Sequence, residues 1–188
     1  MTGIAARQDS SPDPLYARSP ADARTTVASP AAARALAIAR IALGWIFLWA
    51  FLDKLFGFGH PTPTGKGWLD GGSPTAGYLS GVDGPFGGLF TSMSGLPAAD
   101  WLFMGGMAGL GVSLVLGIGM RVAAIGGVLL LGSLWASSLP IAANLFLDQH
   151  LVYLLTIIGL TFARAGDTWG LGLWWSRTAL VRKVPVLR

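Results

Sequence analysis

The run Trp-Leu-Phe-Met-Gly-Gly-Met-Ala-Gly-Leu-Gly-Val-Ser-Leu-Val-Leu-Gly-Ile-Gly-Met, Trp101 to Met120, carries no ionisable side chain. Wound as an α-helix it rises about 30 Å, the depth of a bilayer's hydrocarbon core. One arginine, Arg121, separates it from a second charge-free run, Val122 to Leu139, which stops at Pro140 because proline cannot continue a helix. Two such runs joined by so short a turn read as antiparallel membrane-spanning helices. Composition agrees. Of 188 residues, 53% are hydrophobic and only 12% charged, where a soluble domain has roughly 25% charged. The mean hydropathy is +0.59. The length suits one compact bundle. Cysteine is absent, which excludes disulfides, thiolate metal sites, iron–sulfur clusters and c-type haem attachment. The net charge is +4, but the basic residues flank hydrophobic runs and form no aromatic-interleaved surface, so no nucleic-acid partner is expected.

Working towards the N-terminus, Pro97 sits in the first turn of this span, which starts at about Ala98. Gly105-x-x-x-Gly109, with Ala108 and Gly111 beside it, predicts a close-packing face for another helix. Before it lies a connection of roughly forty residues, long enough to suggest a functional role. Its residues Phe86, Leu89, Phe90 and Met93 form an i, i+3, i+4, i+7 stripe, and Trp68-Leu69 and Tyr78-Leu79 add apolar anchors. The expectation is an interfacial lid between the first two spans. The first span runs from about Ala35 to Leu52, or on to Phe56, and ends in Asp53-Lys54 ahead of Gly57-Phe58-Gly59-His60-Pro61. Arg40 within it reads as a topology charge snorkelling to the headgroups, with tying spans together as a second role. Residues 1–33 are rich in Ala, Pro, Ser and Arg, and Pro12, Pro14, Pro20 and Pro30 interrupt any helix. They read as a disordered cytoplasmic tail and not as a secretory signal.

Towards the C-terminus, Ile141–Leu147 is a link carrying Asn144, and a fourth span runs from about Gln149 to Ala163. Gly166 is its expected C-cap. Trp169, Trp174 and Trp175 read as an aromatic belt on a surface-lying helix, and Arg177, Arg182, Lys183 and Arg188 make residues 176–188 a basic cytoplasmic tail. The predicted fold is therefore an all-α integral membrane protein: residues 34–175 form a four-transmembrane-helix bundle with its lid. With four spans, Lys54 and Lys66 alone fall on one side and every other Lys and Arg on the opposite side. That asymmetry predicts a multi-pass protein of the cell membrane with both termini cytoplasmic.

The same topology gathers the candidate chemistry at the outer rim. Asn144-Leu-Phe-Leu-Asp148-Gln149-His150 places an amide, a carboxylate and one of two histidines at the mouth of an apolar run. Ionisable groups at a hydrocarbon boundary are costly unless solvated, paired or used. His150, an imidazole, can donate a hydrogen bond to a bound ligand and exchange protons with it. Asp148 shares no helix face with it but can meet it from a non-helical link. Lys54 can donate a hydrogen bond to a ligand oxygen or bind an anion, and Asp53 can relay protons or neutralise Lys54. His150, Asp148, Lys54 and Asp53 are thus the candidate catalytic residues; Asn144, Tyr153 and Trp49 are the candidate cofactor contacts. No metal ligand set is expected. Simpler readings stand beside these: Asp53-Lys54 as an interfacial charge pair, His150 as a structural hydrogen-bonder, Asn144 as a cap or turn residue, His60 as solvent-exposed.

Several of these residues also carry a resemblance. Arg40-x-x-x-Gly44 with Asp53-Lys54, then Leu116-Gly117-Ile-Gly-Met-Arg121-Val-Ala123-Ala124, resemble the opening and middle of the DoxX/DoxD membrane proteins. Asn144-x-x-x-Asp148-x-His150-x-x-Tyr153 and Ala165-Gly166-x-x-Trp169-Gly170-Leu171 look like a DoxD-type ending. The likeness covers about residues 34–175. One common DoxX feature is missing: Trp101–Gly111 contains no acid. The resemblance implies a four-helix bundle and a link to thiosulfate:quinone oxidoreductase, whose large membrane subunit is of the DoxD type; on that likeness His150 and Lys54 would donate to a quinone's oxygens, Asn144, Tyr153 and Trp49 would contact it, and Lys54 could instead bind thiosulfate.

Two functions follow as expectations. The first is the membrane subunit of a quinone-linked oxidoreductase, with no tightly held cofactor of its own and membrane quinone as its ligand. The second is a non-catalytic accessory or assembly subunit of a membrane complex. Either would have the lipid bilayer and a partner subunit or second copy as partners. Bis-histidine haem is disfavoured because neither His60 nor His150 lies within a span. No strand–glycine-loop–helix pattern supports a flavin or nicotinamide site. A transporter ranks third, lacking paired broken helices.

Overall fold

A computed structural model describes residues 29–142 and 144–188, and the described residues contain helices and turns but no strands. Most of the expected tail, residues 1–28, lies outside them. Four longer helices dominate: α1 (Pro30–Phe56), α4 (Pro97–Leu116), α5 (Met120–Ser137) and α6 (Gln149–Phe162). Short helices α2 (Ala76–Leu79) and α3 (Gly87–Ser92) lie between α1 and α4, and α7 (Gly172–Ser176) and α8 (Ala179–Lys183) follow α6. Three helices, α1, α4 and α5, are long and apolar enough to cross a membrane. The fourth, α6, has 14 residues and rises about 21 Å, less than a typical hydrocarbon core.

The helix starts follow local chemistry. α1 begins earlier than expected, at Pro30, with Ser29 Oγ accepting from Ala32 N–H at 3.2 Å. Pro30 opens the helix instead of breaking it, because the first helical position needs no N–H partner. Residues 30–33, expected in the tail, are therefore helical. Asp148 caps α6 by accepting from Leu151 N–H at 3.0 Å. Gly166 is not the C-cap of α6; Ala163 takes that position, Arg164 adopts the left-handed conformation, and Gly166 lies buried in the following 3₁₀ turn.

The helices pack α1 on α4, α4 on α5 and α5 on α6, with α1 and α6 closing the circuit. They share one apolar core that includes Leu43, Phe47, Leu110, Leu114, Leu131 and Ile157. The closest backbone approach is between α1 and α4. A Cβ on Gly44 would lie 2.8 Å from Val115 N, and one on Gly111 would lie 2.8 Å from Leu48 N. By contrast, a Cβ on Gly105 or Gly109, the expected packing pair, would meet nothing within 4 Å among the described residues.

The two ends of this packing differ. At the end holding the N-terminus of α1, Arg40 is 0% exposed. It does not snorkel. Its guanidinium donates to the carbonyls of Leu114, Val115 (3.0 Å), Ala165 (3.2 Å), Thr168 (3.3 Å) and Trp169 (3.0 Å). Leu114 and Val115 lie in the last turn of α4, where carbonyls lack intrahelical donors and the helix dipole is negative. Leu171 N–H takes the next one, Leu116 O, at 2.8 Å. Small residues allow this convergence: a Cβ on Gly117 or Gly170 would lie 3.0 Å from an Arg40 nitrogen, and one on Gly166 would run into the Gly117 carbonyl oxygen.

Candidate functional site

At the opposite end, α1 and α5 finish while α4 and α6 begin, so antiparallel connectivity alone collects Asp53, Lys54, Asp100, Ser137, Asp148 and His150 there. The segment between α1 and α4 is fastened over these helix ends by two buried carboxylates and a phenol. Asp53, 1% exposed, accepts from Thr62 N–H through Oδ2 at 2.9 Å. Its Oδ1 is buried with no partner among the described residues. Asp100 Oδ1 accepts from Ser73 Oγ (2.8 Å), Thr75 N–H (3.1 Å) and Thr75 Oγ1 (2.6 Å). Tyr78 Oη lies 2.7 Å from Ser137 Oγ. Ser137 already donates its single proton to Leu134 O at 2.7 Å, so Tyr78 is the donor.

Beneath this segment is a cavity of about 950 Å³. Its inner walls come from buried Phe47, Met107 and Leu131, its outer walls from Leu102 and Leu129, and Leu79, Phe90 and Met93 lie over it from the connecting segment. Polar lining is sparse: Lys54, Thr75, Tyr78, Ser133, Ser137, Gln149, His150 and Tyr153. A mostly apolar cavity with a few convergent polar groups is the common form of a small-molecule site.

Of the expected site residues, the fold brings three to this wall: Lys54, His150 and Tyr153. Lys54 and Asp53 form no ion pair among the described residues, because neighbours on a helix point apart. Lys54 Nζ instead sits 5.8 Å from the centre of the Phe103 ring, within cation–π range, while Asp53 turns to the Thr62 backbone. Tyr153 is held edge-on against Phe47 at 6.0 Å. Asp148 stands just behind the wall, with Oδ2 2.6 Å from His150 Nδ1. The pair meets because Asp148 is the cap, outside the helix, and can fold back on the first turn. Burial works against a charged Asp148. Hydrogen bonds from Leu151 N–H and His150, with the charge of the imidazolium, outweigh it and hold its pKa below the usual carboxylate value. With the carboxylate on Nδ1, Nε2 of His150 is left for other partners.

Asn144 and Trp49 lie away from the cavity wall. Asn144 is exposed and its Oδ1 accepts from the adjacent Leu145 N–H at 2.6 Å, a turn contact. Trp49 belongs to an outward aromatic group, stacked on Phe58 at 5.8 Å and edge-on to exposed His60 at 5.5 Å. Asp100, Thr75 and Ser137 hold the segment over the site and were not among the candidates. An acid in the first turn of a helix opening a charge-free run was the available signal.

The chain matches no protein-family model, no curated protein and no solved structure. Among the described residues, no three His, Asp or Glu side chains group so as to hold a metal ion. What the arrangement can do chemically is hydrogen-bond and protonate a small polar head through Lys54, Tyr153 and His150 while apolar walls enclose the rest of the molecule.

Proposed function

We propose that the chain is the membrane subunit of a quinone-linked oxidoreductase, of the thiosulfate:quinone type suggested by its likeness to DoxX/DoxD proteins. One observation carries this reading: the 950 Å³ apolar cavity has an Asp148–His150 pair at 2.6 Å on and behind its wall. A quinone becomes a quinol by taking up two electrons and two protons. His150 would deliver a proton to one quinone oxygen and recover it from water at the rim, with Asp148 fixing the ring through Nδ1. Lys54 would hydrogen-bond the other quinone oxygen as negative charge develops there and pass it the second proton, which it too would recover from water at the rim. The electrons would come from a partner subunit that oxidises thiosulfate.

In this reading α6 is the fourth span and the segment between α1 and α4 is a lid. Connectivity supports the span: α6 starts beside the cavity and ends at Phe162, just before the 3₁₀ turn whose Ala165 carbonyl bonds Arg40 at the far end of the core. A helix shorter than the bilayer is accommodated by local thinning at modest cost. The Lys and Arg asymmetry then sets both termini in the cytoplasm and the cavity mouth on the outer side of the cell membrane. Removal of a positioned general acid typically costs 10²–10⁴-fold in rate, roughly. His150→Ala is expected to lower quinone reduction by the assembled complex on that order, and Lys54→Ala to lower it as well, with both proteins inserted and folded. Unchanged activity in both variants, at matched protein levels, would remove the site.

A second reading, a non-catalytic accessory subunit, has one observation in its favour. Gly109 presents a face that none of the described residues covers, open to a helix of another subunit. Gly109→Leu would then abolish co-purification of that subunit; its intact recovery would count against the reading.

A further inference from the structure

We infer that the cavity is filled sideways, from the hydrocarbon of the bilayer, through a gap between α4 and α5 bordered by Gly105 and Gly126, and that its ligand keeps a long apolar tail in that gap. This rests on the proposed quinone reading and adds the route and the tail to it.

Three observations carry the inference. First, the cavity runs from the core to the outside: Leu131 on its wall is 1% exposed, whereas Leu102 on α4 and Leu129 on α5 are 74% and 72% exposed. Exposed leucines on apolar helices face lipid in a membrane. Second, Gly105 and Gly126 line the cavity, and a Cβ on either would meet nothing within 4 Å. Space therefore remains between the two helices where side chains would otherwise close it. Third, the water-facing end is covered by the segment that Asp53, Asp100 and Ser137 fasten down, with Leu79, Phe90 and Met93 over the cavity. The direct route from water passes under an anchored cover; the route from lipid passes between glycines.

The polarity of the walls fixes the ligand class. Lys54, Gln149 and His150 come from the turns of α1 and α6 nearest the covered end, while the gap itself is bordered by glycine and leucine. The complementary molecule has one compact hydrogen-bonding head and a tail with no polar groups. Once seated at the head, a ligand with a short tail leaves the gap empty, so its equilibrium affinity does not depend on what fills the gap.

The test uses purified full-length protein in lipid nanodiscs, with two probes: a decaprenyl ubiquinone and a monoprenyl ubiquinone. Gly105→Leu and Gly126→Leu place a side chain in the empty gap. Gly109→Leu, on an open face of α4 away from the cavity wall, is the control. Overpacking penalties of the usual size correspond to roughly tenfold or more in affinity. The decaprenyl quinone is expected to bind the two gap variants that much more weakly, while the monoprenyl quinone binds them as it binds wild type. The chain has no cysteine, so the plug can also be installed after folding, by modifying a Gly126→Cys variant with a bulky maleimide. Decaprenyl binding that is unaltered in the gap variants and after the maleimide overturns the sideways route and leaves the quinone reading standing. Equal loss of equilibrium affinity for both quinones also overturns the inference, since the substitution would then be acting on the head site and not on a tail lying in the gap. Wild-type protein that binds neither quinone overturns the proposed function and this inference together.

Discussion

Arg40 is a fully buried cation whose recorded partners are all backbone carbonyls, from the end of α4 and from residues 165–169. The planar guanidinium has five N–H donors in a fixed fork, which suits several carbonyls arriving from different segments. Arg40→Met would leave those carbonyls without this donor. Each buried group left unpaired costs about 1–3 kcal/mol, so a loss above about 3 kcal/mol is expected, read as a collapse of the unfolding midpoint in detergent. Arg40→Lys offers a single ammonium on a different geometry and should lose about 1–3 kcal/mol. Wild-type stability in both would remove the lock. Asp148 gives a second, pH-dependent expectation. Its folded pKa lies below the unfolded value, so its contribution is fully present above about pH 4 and is lost as pH falls through the folded pKa. Wild type should therefore exceed Asp148→Asn in stability at neutral pH, by an increment that vanishes in acid; an increment independent of pH would contradict this. The roles of these two residues differ in how visible they were. Arg40 in a hydrophobic run has one pattern whether it snorkels or is buried, and its partners are carbonyls 74 to 129 residues away that carry no side-chain signal. Asp148 and His150 were visible as a pair once the helix start was placed between them.

Among the elements, α1 and α4 depend on two glycines in backbone contact. Gly111→Ala would put its Cβ 2.8 Å from Leu48 N and 2.9 Å from Leu48 Cα, which forces the helices apart. The expected loss is about 1–3 kcal/mol. Gly109→Ala, with open space around it, should be neutral or gain up to about 1 kcal/mol from helix propensity. Parallel melting curves decide the matter: equal behaviour of the two variants would mean that α1 and α4 do not meet at Gly111. Existence and order of the long helices were legible because charge-free runs and their Pro, Gly and Arg boundaries are local features. Which glycines carry the packing was legible only in part. Gly111 belonged to the expected packing face, but the conspicuous motif Gly105-x-x-x-Gly109 is not in the contact, and Gly44, its partner on α1, carried no packing signal of its own. The cavity was equally hidden, because its walls come from α1, α4, α5, α6 and the connecting segment at once.

At the scale of the molecule, the chain divides its labour between its ends. One end is locked by Arg40 and the close approach of Gly117 to Gly166; the other holds the cavity, with Lys54, His150 and Tyr153 on its wall. The proposed orientation is testable because any introduced cysteine is the only thiol. Asp83→Cys and Asn144→Cys, at exposed positions on the cavity side, are expected to react with a membrane-impermeant maleimide in intact cells. Arg182→Cys, exposed on the opposite side, is expected to react only after lysis. Labelling of all three, or of Arg182→Cys alone, would refute the orientation.

The most direct test of the central claim is photolabelling of the protein in membranes with a long-tailed quinone carrying a photoreactive group on its head, followed by peptide mapping. Labels are expected on the α1 turn around Lys54, on residues 149–153, or on both, and His150→Ala with Lys54→Ala should abolish them. Labels confined to the outward faces of the helices, such as Ile38 and Trp45, and indifferent to those substitutions would mean that the cavity does not hold a quinone.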